Sequence, residues 1–389
     1  MKRIFNLFRW ILVGGSCVYL LLACNPDVSE DPVRFPLNHL VSQEGGYIPY
    51  SNLCSLDFNG DGYVDLMASA WGDYPLLWYE NDGTGRFTKH VFNDATKSST
   101  VNHYADADCD GDTDFTGLFI GITTFSFNYY QNNGSNSFTA KTLPGSATYI
   151  PTDFSVCDIN ADGYSDIVRI DAGADGLVWL PMEMDGEYHY VNTIGSDFTG
   201  GHRVCTADLD ADGNMDIIAS EYETDPICTI TWWEQSGSGS FSRNNAATGI
   251  ASPQFWTENV DGDGDIDIVV QSGSDLFWLD FDGEGVFTQT ALFSSSDSFR
   301  TYPADYEGDG DIDFFLYLDT DVDADANGYT EHDLVLLEND GSTNFSETVL
   351  LTDMERSTIC PGDFNTDGNQ DVFVFCNLDY SLRWYQFRD

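Results

Sequence analysis

The chain has 389 residues, with 65 Asp or Glu against 15 Lys or Arg, a formal net charge of −50 at pH 7. Nucleic acid is excluded as a partner by this balance, because phosphate contact needs positive charge. It fits a protein that concentrates cations or stays soluble in salty surroundings.

In chain order, the first element is "MKRIFNLFRWILVGGSCVYLLLAC". Lys2, Arg3 and Arg9 precede an apolar run that ends at Ala23-Cys24, the order of a secretory signal peptide. Residues 1–23 are expected to be removed, and the small residue before Cys24 resembles a bacterial lipoprotein cleavage box, with Cys24 as the lipidated residue. An ordinary cleaved signal and an uncleaved anchor are the alternatives. No other segment is apolar enough to cross a bilayer. Residues 24–32 read as a tether and residues 33–389 as one repeat domain. Seven of the nine cysteines follow Cys24, an odd number that leaves at least one unpaired within the chain. Cys54, Cys205 and Cys360 recur three residues before an acidic loop and read as small core residues, and Cys109 reads as a spacer inside a loop.

After a strand-like "RFPLNHLV" from Arg34 comes "LDFNGDGYVDLM", an EF-hand-like opening closed early by Asp65. The pattern D-x-[DN]-x-D-G-x-x-D, with small departures, recurs from Asp57, Asp106, Asp158, Asp208, Asn259, Asp305 and Asp363, at intervals of 49, 52, 50, 51, 46 and 58 residues. Such a period signals a propeller, solenoid or array. Each unit reads as four short antiparallel strands: one into the acidic loop, one out ("DLMASA"), a third ("LLWYE"), a glycine-rich hairpin ("NDGTGRF") and a fourth ("FTKHVF"). Four-stranded sheets repeated radially make an all-β, seven-bladed β-propeller. The last unit stops after its third strand at "SLRWYQFRD", so Phe35–Val41 is expected to supply the missing one and close the ring.

Calcium takes six to eight oxygen ligands, and an EF-hand loop supplies them at odd positions, with glycine at six. Positions one, three, five and nine here are Asp57, Asn59, Asp61 and Asp65, then Asp106, Asp108, Asp110 and Asp114, then Asp158, Asn160, Asp162 and Asp166. The next four loops place Asp208, Asp210, Asp212 and Asp216; Asn259, Asp261, Asp263 and Asp267; Asp305, Glu307, Asp309 and Asp313; and Asp363, Asn365, Asp367 and Asp371. These residues are the expected ligands of about seven Ca²⁺ ions, a reading stronger than plain Asp-Gly turns because every copy keeps the ninth-position aspartate. An off-phase segment supplies Asp323, Asp325, Asn327 and Glu331, either an extra site or an acidic insertion.

These loops and the "WYENDGTGRF" hairpins resemble FG-GAP or VCBS repeats, the calcium-loop blades also found in the propeller of integrin α subunits. That resemblance implies that each loop joins the first and second strands of a blade on one face, with partners often binding the opposite face. Asn259 at position one and Glu307 at position three depart from the pattern.

Three functions remain open: a non-catalytic module for protein or glycan recognition or adhesion, tethered to the bacterial envelope and facing the periplasm or the exterior; a polysaccharide-active lyase or hydrolase; and a structural envelope component. No nucleophile elbow, HExxH or phosphate-cradling loop is present, and the paired carboxylates are in phase with the loops. The sequence is therefore read as a binding module and not an enzyme. His90 and His189 fall on outer strands as exposed fillers, and the repeated Trp78, Trp179, Trp232, Trp278 and Trp384 read as packing between blades. The segments before each first strand converge on the axis opposite the loops and gather His103, His202, Arg203, Phe255, Trp256, Arg300, Tyr302 and Arg356. Arginine and aromatics there suit an acidic peptide or uronate-like glycan. The alternative is that the arginines only neutralise Asp297, Asp353 and Glu355.

Overall fold

A computed structural model describes residues 37–43, 50–70, 76–91, 98–108, 113–120, 125–133, 138–144, 151–171, 176–195, 198, 200–224, 226–237, 239–283, 285–320, 331–341, 344–355, 357–376 and 381–387. Among the described residues there are 28 strands in seven four-stranded antiparallel sheets, and no helix. This is the seven-bladed propeller expected from the repeat.

Six sheets follow chain order, and the seventh has the order expected of ring closure: the strand Leu37–Gln43 lies outermost, beside Ser381–Gln386. His39 is paired with Trp384 and Gln43 with Ser381. Of the expected closing strand, residues 37–41 are found in place, and Phe35 and Pro36 lie outside the described residues. Tying both ends of the chain into one sheet removes the open edge a partial blade would expose.

Burial follows position within the blade. Second strands are covered on both faces by neighbouring sheets, so Asp166–Asp171 is buried at every residue. Fourth strands form the outer wall, and Phe87–Val91 is mostly exposed or half-buried. The apolar residues form seven clusters, one at each junction between adjacent blades. Trp78, Trp232, Trp278 and Trp384 lie in these clusters at 1–4% exposure, which makes them packing residues and not sugar platforms.

First strands stand side by side around the axis, stitched by hydroxyls. Ser55 Oγ donates to the carbonyl of Pro361 at 2.6 Å between blades 1 and 7, and Ser155 and Thr206 share a 2.9 Å bond between blades 3 and 4. Every second strand starts at a ninth loop position, so its length sets the height of the blade on the opposite face. It is nine residues in blade 4, six in blade 5 and eight in blade 6. At ~3.3 Å per residue, blade 5 is recessed by about 7–10 Å between its neighbours.

Candidate metal loops and the face opposite them

The acidic loops are nested turns closed by their own side chains. In the first loop Asp57 accepts the amides of Asp61 (3.1 Å) and Gly62 (2.8 Å), Asn59 Oδ1 accepts Asp61 (3.1 Å), and Asp61 accepts Tyr63 (2.9 Å). The loops that begin at Asp158 and Asp363 repeat these bonds. In the six loops described at these positions, position six is glycine at positive φ, as expected, but position four is left-handed too. Gly60, Gly262 and Gly308 occupy it in three loops, whereas Ala161, Ala211 and Thr366 occupy it at φ 55–58°. A side chain in this region costs about 1–2 kcal/mol, so the loop geometry is enforced by its surroundings.

The ninth-position aspartates are buried, and both oxygens of most of them bind backbone amides. Asp65 accepts Phe58 N at position two (3.1 Å) and Asn81 N at the end of the third strand (2.7 Å). Asp166 accepts Ile159 and Met182, Asp216 accepts Leu209 and Gln235, Asp267 accepts Val260 and Phe281, and Asp313 accepts Tyr306 and Asn339. The third-strand aromatic adds a donor: Trp232 Nε1 to Asp216 at 2.9 Å and Tyr129 OH to Asp114 at 2.7 Å. Each ninth aspartate thus ties its loop to the blade; Oδ2 of Asp114 and of Asp216 takes two donors, whereas Oδ1 of each takes one amide and keeps a second lone pair. Burial raises these carboxyls from 3.8 to about 6 for Asp65, Asp114, Asp216 and Asp313, and to about 7 for Asp166, Asp267 and Asp371.

Among the described residues, acidic oxygens converge closely enough to hold a metal ion in two loops: those of Asp106, Asp108 and Asp114, and those of Asp208, Asp210 and Asp212, lie within 4.8 Å of one another. Hard oxygen donors with no nitrogen or sulfur suit a hard cation. In the sixth loop Glu307 turns inward beside Asp313 and Glu338, and burial with these neighbours raises its carboxyl to about 7. Asn259 departs from the other first positions by accepting the position-four amide of Gly262 at 2.9 Å. Asp110, Cys24 and the off-phase Asp323, Asp325 and Asn327 lie outside the described residues, as does the side chain of Glu331.

Sequence reasoning missed the amide that ends the third strand. Asn81 Nδ2 donates to Val64 O in its own loop (2.9 Å) and to Phe364 O, at position two of the neighbouring loop (2.8 Å). Gln235 does the same to Met215 O (2.9 Å) and Ile159 O (2.8 Å), and Asn339 to Ile312 O (3.4 Å) and Val260 O (2.8 Å). Blades 3, 5 and 7 carry buried Met182, Phe281 and Phe387 at this place. In blades 3 and 7 the blade's own loop backbone reaches the preceding blade instead, with Ser165 N donating to Ala107 O (3.0 Å) and Gln370 N to Tyr306 O (2.8 Å). The signal was present in "WYEN", "WWEQ" and "LLEN" against "WLPM" and "WLDF".

On the opposite face, residues 200–203 fold back over blade 4. Tyr222 N donates to Gly200 O (2.9 Å), and Ser220 Oγ accepts the amides of His202 and Arg203 (2.9 Å each). A Cβ on Gly201 would lie 1.6 Å from Ser220 O, so only glycine fits there. His202 Nδ1 meets Tyr222 OH at 3.2 Å. Arg203 Nη1 stands 3.6 Å from Asp153, and the buried Asp153 also accepts Val204 N at 2.9 Å; the side chains of Asp353 and Glu355 lie outside the described residues. Arg300 is exposed in blade 6, near His332, which is stacked on Tyr317 and lies 2.8 Å from Asp319. Phe255 is a core residue at 1% exposure, and Trp256 is half-buried against the junction of blades 5 and 6. Arg356 and the side chain of His103 lie outside the described residues. His202 and Arg203 are therefore together, while Arg300 stands two blades away. His90 is not a free filler: it stacks on Trp78 at 4.5 Å and pairs with Glu80 at 2.7 Å. His189 is exposed and pairs with Asp185 at 2.8 Å.

The FG-GAP-like repeat family matches residues 57–115, 158–219 and 259–316, each match running from one acidic loop to just past the next. Comparison with curated proteins finds no match. Among solved structures, the chain is similar to an Agrocybe aegerita lectin that recognises non-reducing terminal N-acetylglucosamine, with TM-score 0.58, 19% identity, and 86% of this chain and 87% of that one covered. It is also similar to BBS1N, solved in complex with ARL6DN, with TM-score 0.56, 11% identity, and 92% and 97% covered. At these identities the likeness is one of fold. The chain thus carries FG-GAP-like repeats on a seven-bladed β-propeller.

Proposed function

We propose that the protein is a calcium-stiffened, non-catalytic recognition module held at the bacterial cell envelope through Cys24, as an outer-membrane lipoprotein whose partner docks opposite the acidic loops. The observation that carries this reading is the division of labour between the faces. Loop side chains are spent on their own backbone and on oxygen-rich clusters, whereas the opposite face holds exposed Arg300, the His202–Arg203 segment and a recess at blade 5. When bound, calcium would neutralise the converging carboxylates and cross-link each loop, with position one, three, five and nine side chains as ligands. The ligand is a protein or a glycan. The lectin's sugar specificity makes glycans the first class to screen, and the guanidinium groups favour carboxylate-bearing ones.

The test is a glycan and protein binding screen of the purified protein with and without calcium, repeated with Arg300→Ala and Arg203→Ala. Removing Arg203 leaves the buried Asp153 unpaired, so Arg300→Ala is the cleaner probe. Binding lost at unchanged melting temperature supports the reading, and binding retained by both variants refutes the face. Turnover of any polysaccharide would replace the module by the enzyme.

A further inference from the structure

Position two of an acidic loop carries no ligand side chain, yet its peptide lies between the ligands at positions one and three. In the third loop this residue is Ile159, and it is pinned at both ends. Its N–H donates to the loop's own Asp166 at 3.2 Å, and its C=O accepts Gln235 Nε2 from the next blade at 2.8 Å. Gln235 is 2% exposed, and its backbone N–H meanwhile caps Asp216 of its own blade at 2.7 Å. Val260 of the fifth loop is held in the same way by Asp267 and Asn339. From this arrangement we infer that Gln235 and Asn339 are positioning residues for cation binding in the neighbouring blade's loop. Each fixes the peptide that orients ligands one and three, so affinity in one blade depends on a side chain of the next.

The held carbonyl preorganises the loop. A loop whose carbonyl is already held loses less freedom when its oxygens close on a cation. A released carbonyl at 2% exposure would also turn to find another donor, taking the ligand-bearing peptides with it. The inference rests on the calcium reading above, and its experiment separates the two.

The experiment is a terbium(III) titration of the full chain, excited through tyrosine. Tyr63 and Tyr164 are the tyrosines at loop position seven, so a Tyr63→Phe background reports mainly the third loop. Gln235→Met keeps the volume, matches Met182 of blade 3, and removes both donors. Gln235→Asn keeps the amide found in blades 1 and 6. Gln235→Met is expected to weaken third-loop terbium binding about fivefold, the worth of one hydrogen bond, with Gln235→Asn restoring most of it. Terbium curves identical for background and Gln235→Met overturn the inference, as does equal weakening by both substitutions, which would signal packing alone. No terbium signal in the parent protein overturns the calcium reading itself. Should Gln235→Met not fold, Asn339→Leu is read by calorimetric calcium titration: one weakened site supports the inference and an unchanged isotherm overturns it.

Discussion

Asn81 Nδ2 donates to the carbonyl of Phe364 at 2.8 Å across 283 residues of sequence, joining the first blade to the last. The bond lies where the ring closes, beside the sheet that the N-terminal strand completes. Asn81→Leu leaves that carbonyl and Val64 O without this donor in a site at 1% exposure. Unfolding stability is expected to fall by about 1–3 kcal/mol in a denaturant titration. A loss of only a few tenths would mean that the closure does not use the latch.

Gly85 of the first hairpin lies over Trp384 of the last blade, and a Cβ there would come within 2.3 Å of the indole at φ +73°. Gly85→Ala combines a left-handed alanine with a clash against a packed ring, and should cost about 2–4 kcal/mol in denaturant titrations. Gly249, at φ +75° with nothing within 4 Å, is the control. Gly249→Ala should cost only the backbone share, about 1–2 kcal/mol. Equal losses would show that the indole contact is not a constraint.

Without a cation, the seven ninth-position carboxyls titrate at about 6 to 7 in the folded state against 3.8 for an ordinary aspartate, chiefly because they are buried. Between these values the folded state binds more protons than the unfolded one, so stability falls as pH rises. In excess chelator the melting temperature should decline from pH 5 to about pH 7 and level off above it. With saturating calcium the decline should shrink, because the bound ion favours the ionised form. A chelated protein that grows more stable over this range would contradict the assignment.

If Cys24 carries the anchor, Cys24→Ser should leave export intact and release the protein from the membrane fraction. Mass spectrometry of the parent protein should find acyl groups on that residue. Unmodified, water-soluble protein from cells would refute the anchoring.

The period of the acidic loops was enough to read the blade count, because a repeat fixes architecture without any long-range contact being known. Ring closure was legible for a similar reason: one strand was missing at the C-terminus and a matching one stood at the N-terminus. The amide latches were not. An Asn or Gln before a glycine hairpin reads as turn chemistry, and its alternation with Met182, Phe281 and Phe387 disguises the repeat. Asp153 as the partner of Arg203 was equally hidden, since adjacency between first strands is created by blade packing and not by sequence distance. The left-handed fourth loop position escaped notice because alanine and threonine occupy a place that glycine would have advertised.

The most direct test of a calcium-stiffened propeller is one thermal melt at pH 7.5, in saturating calcium and in excess chelator. Each filled site contributes about 2.7 kcal/mol at a hundredfold excess over its Kd. Several sites should together raise the midpoint by more than about 10 °C. An unchanged midpoint would contradict the account, because it would mean that the loops fold and hold their shape without the ion.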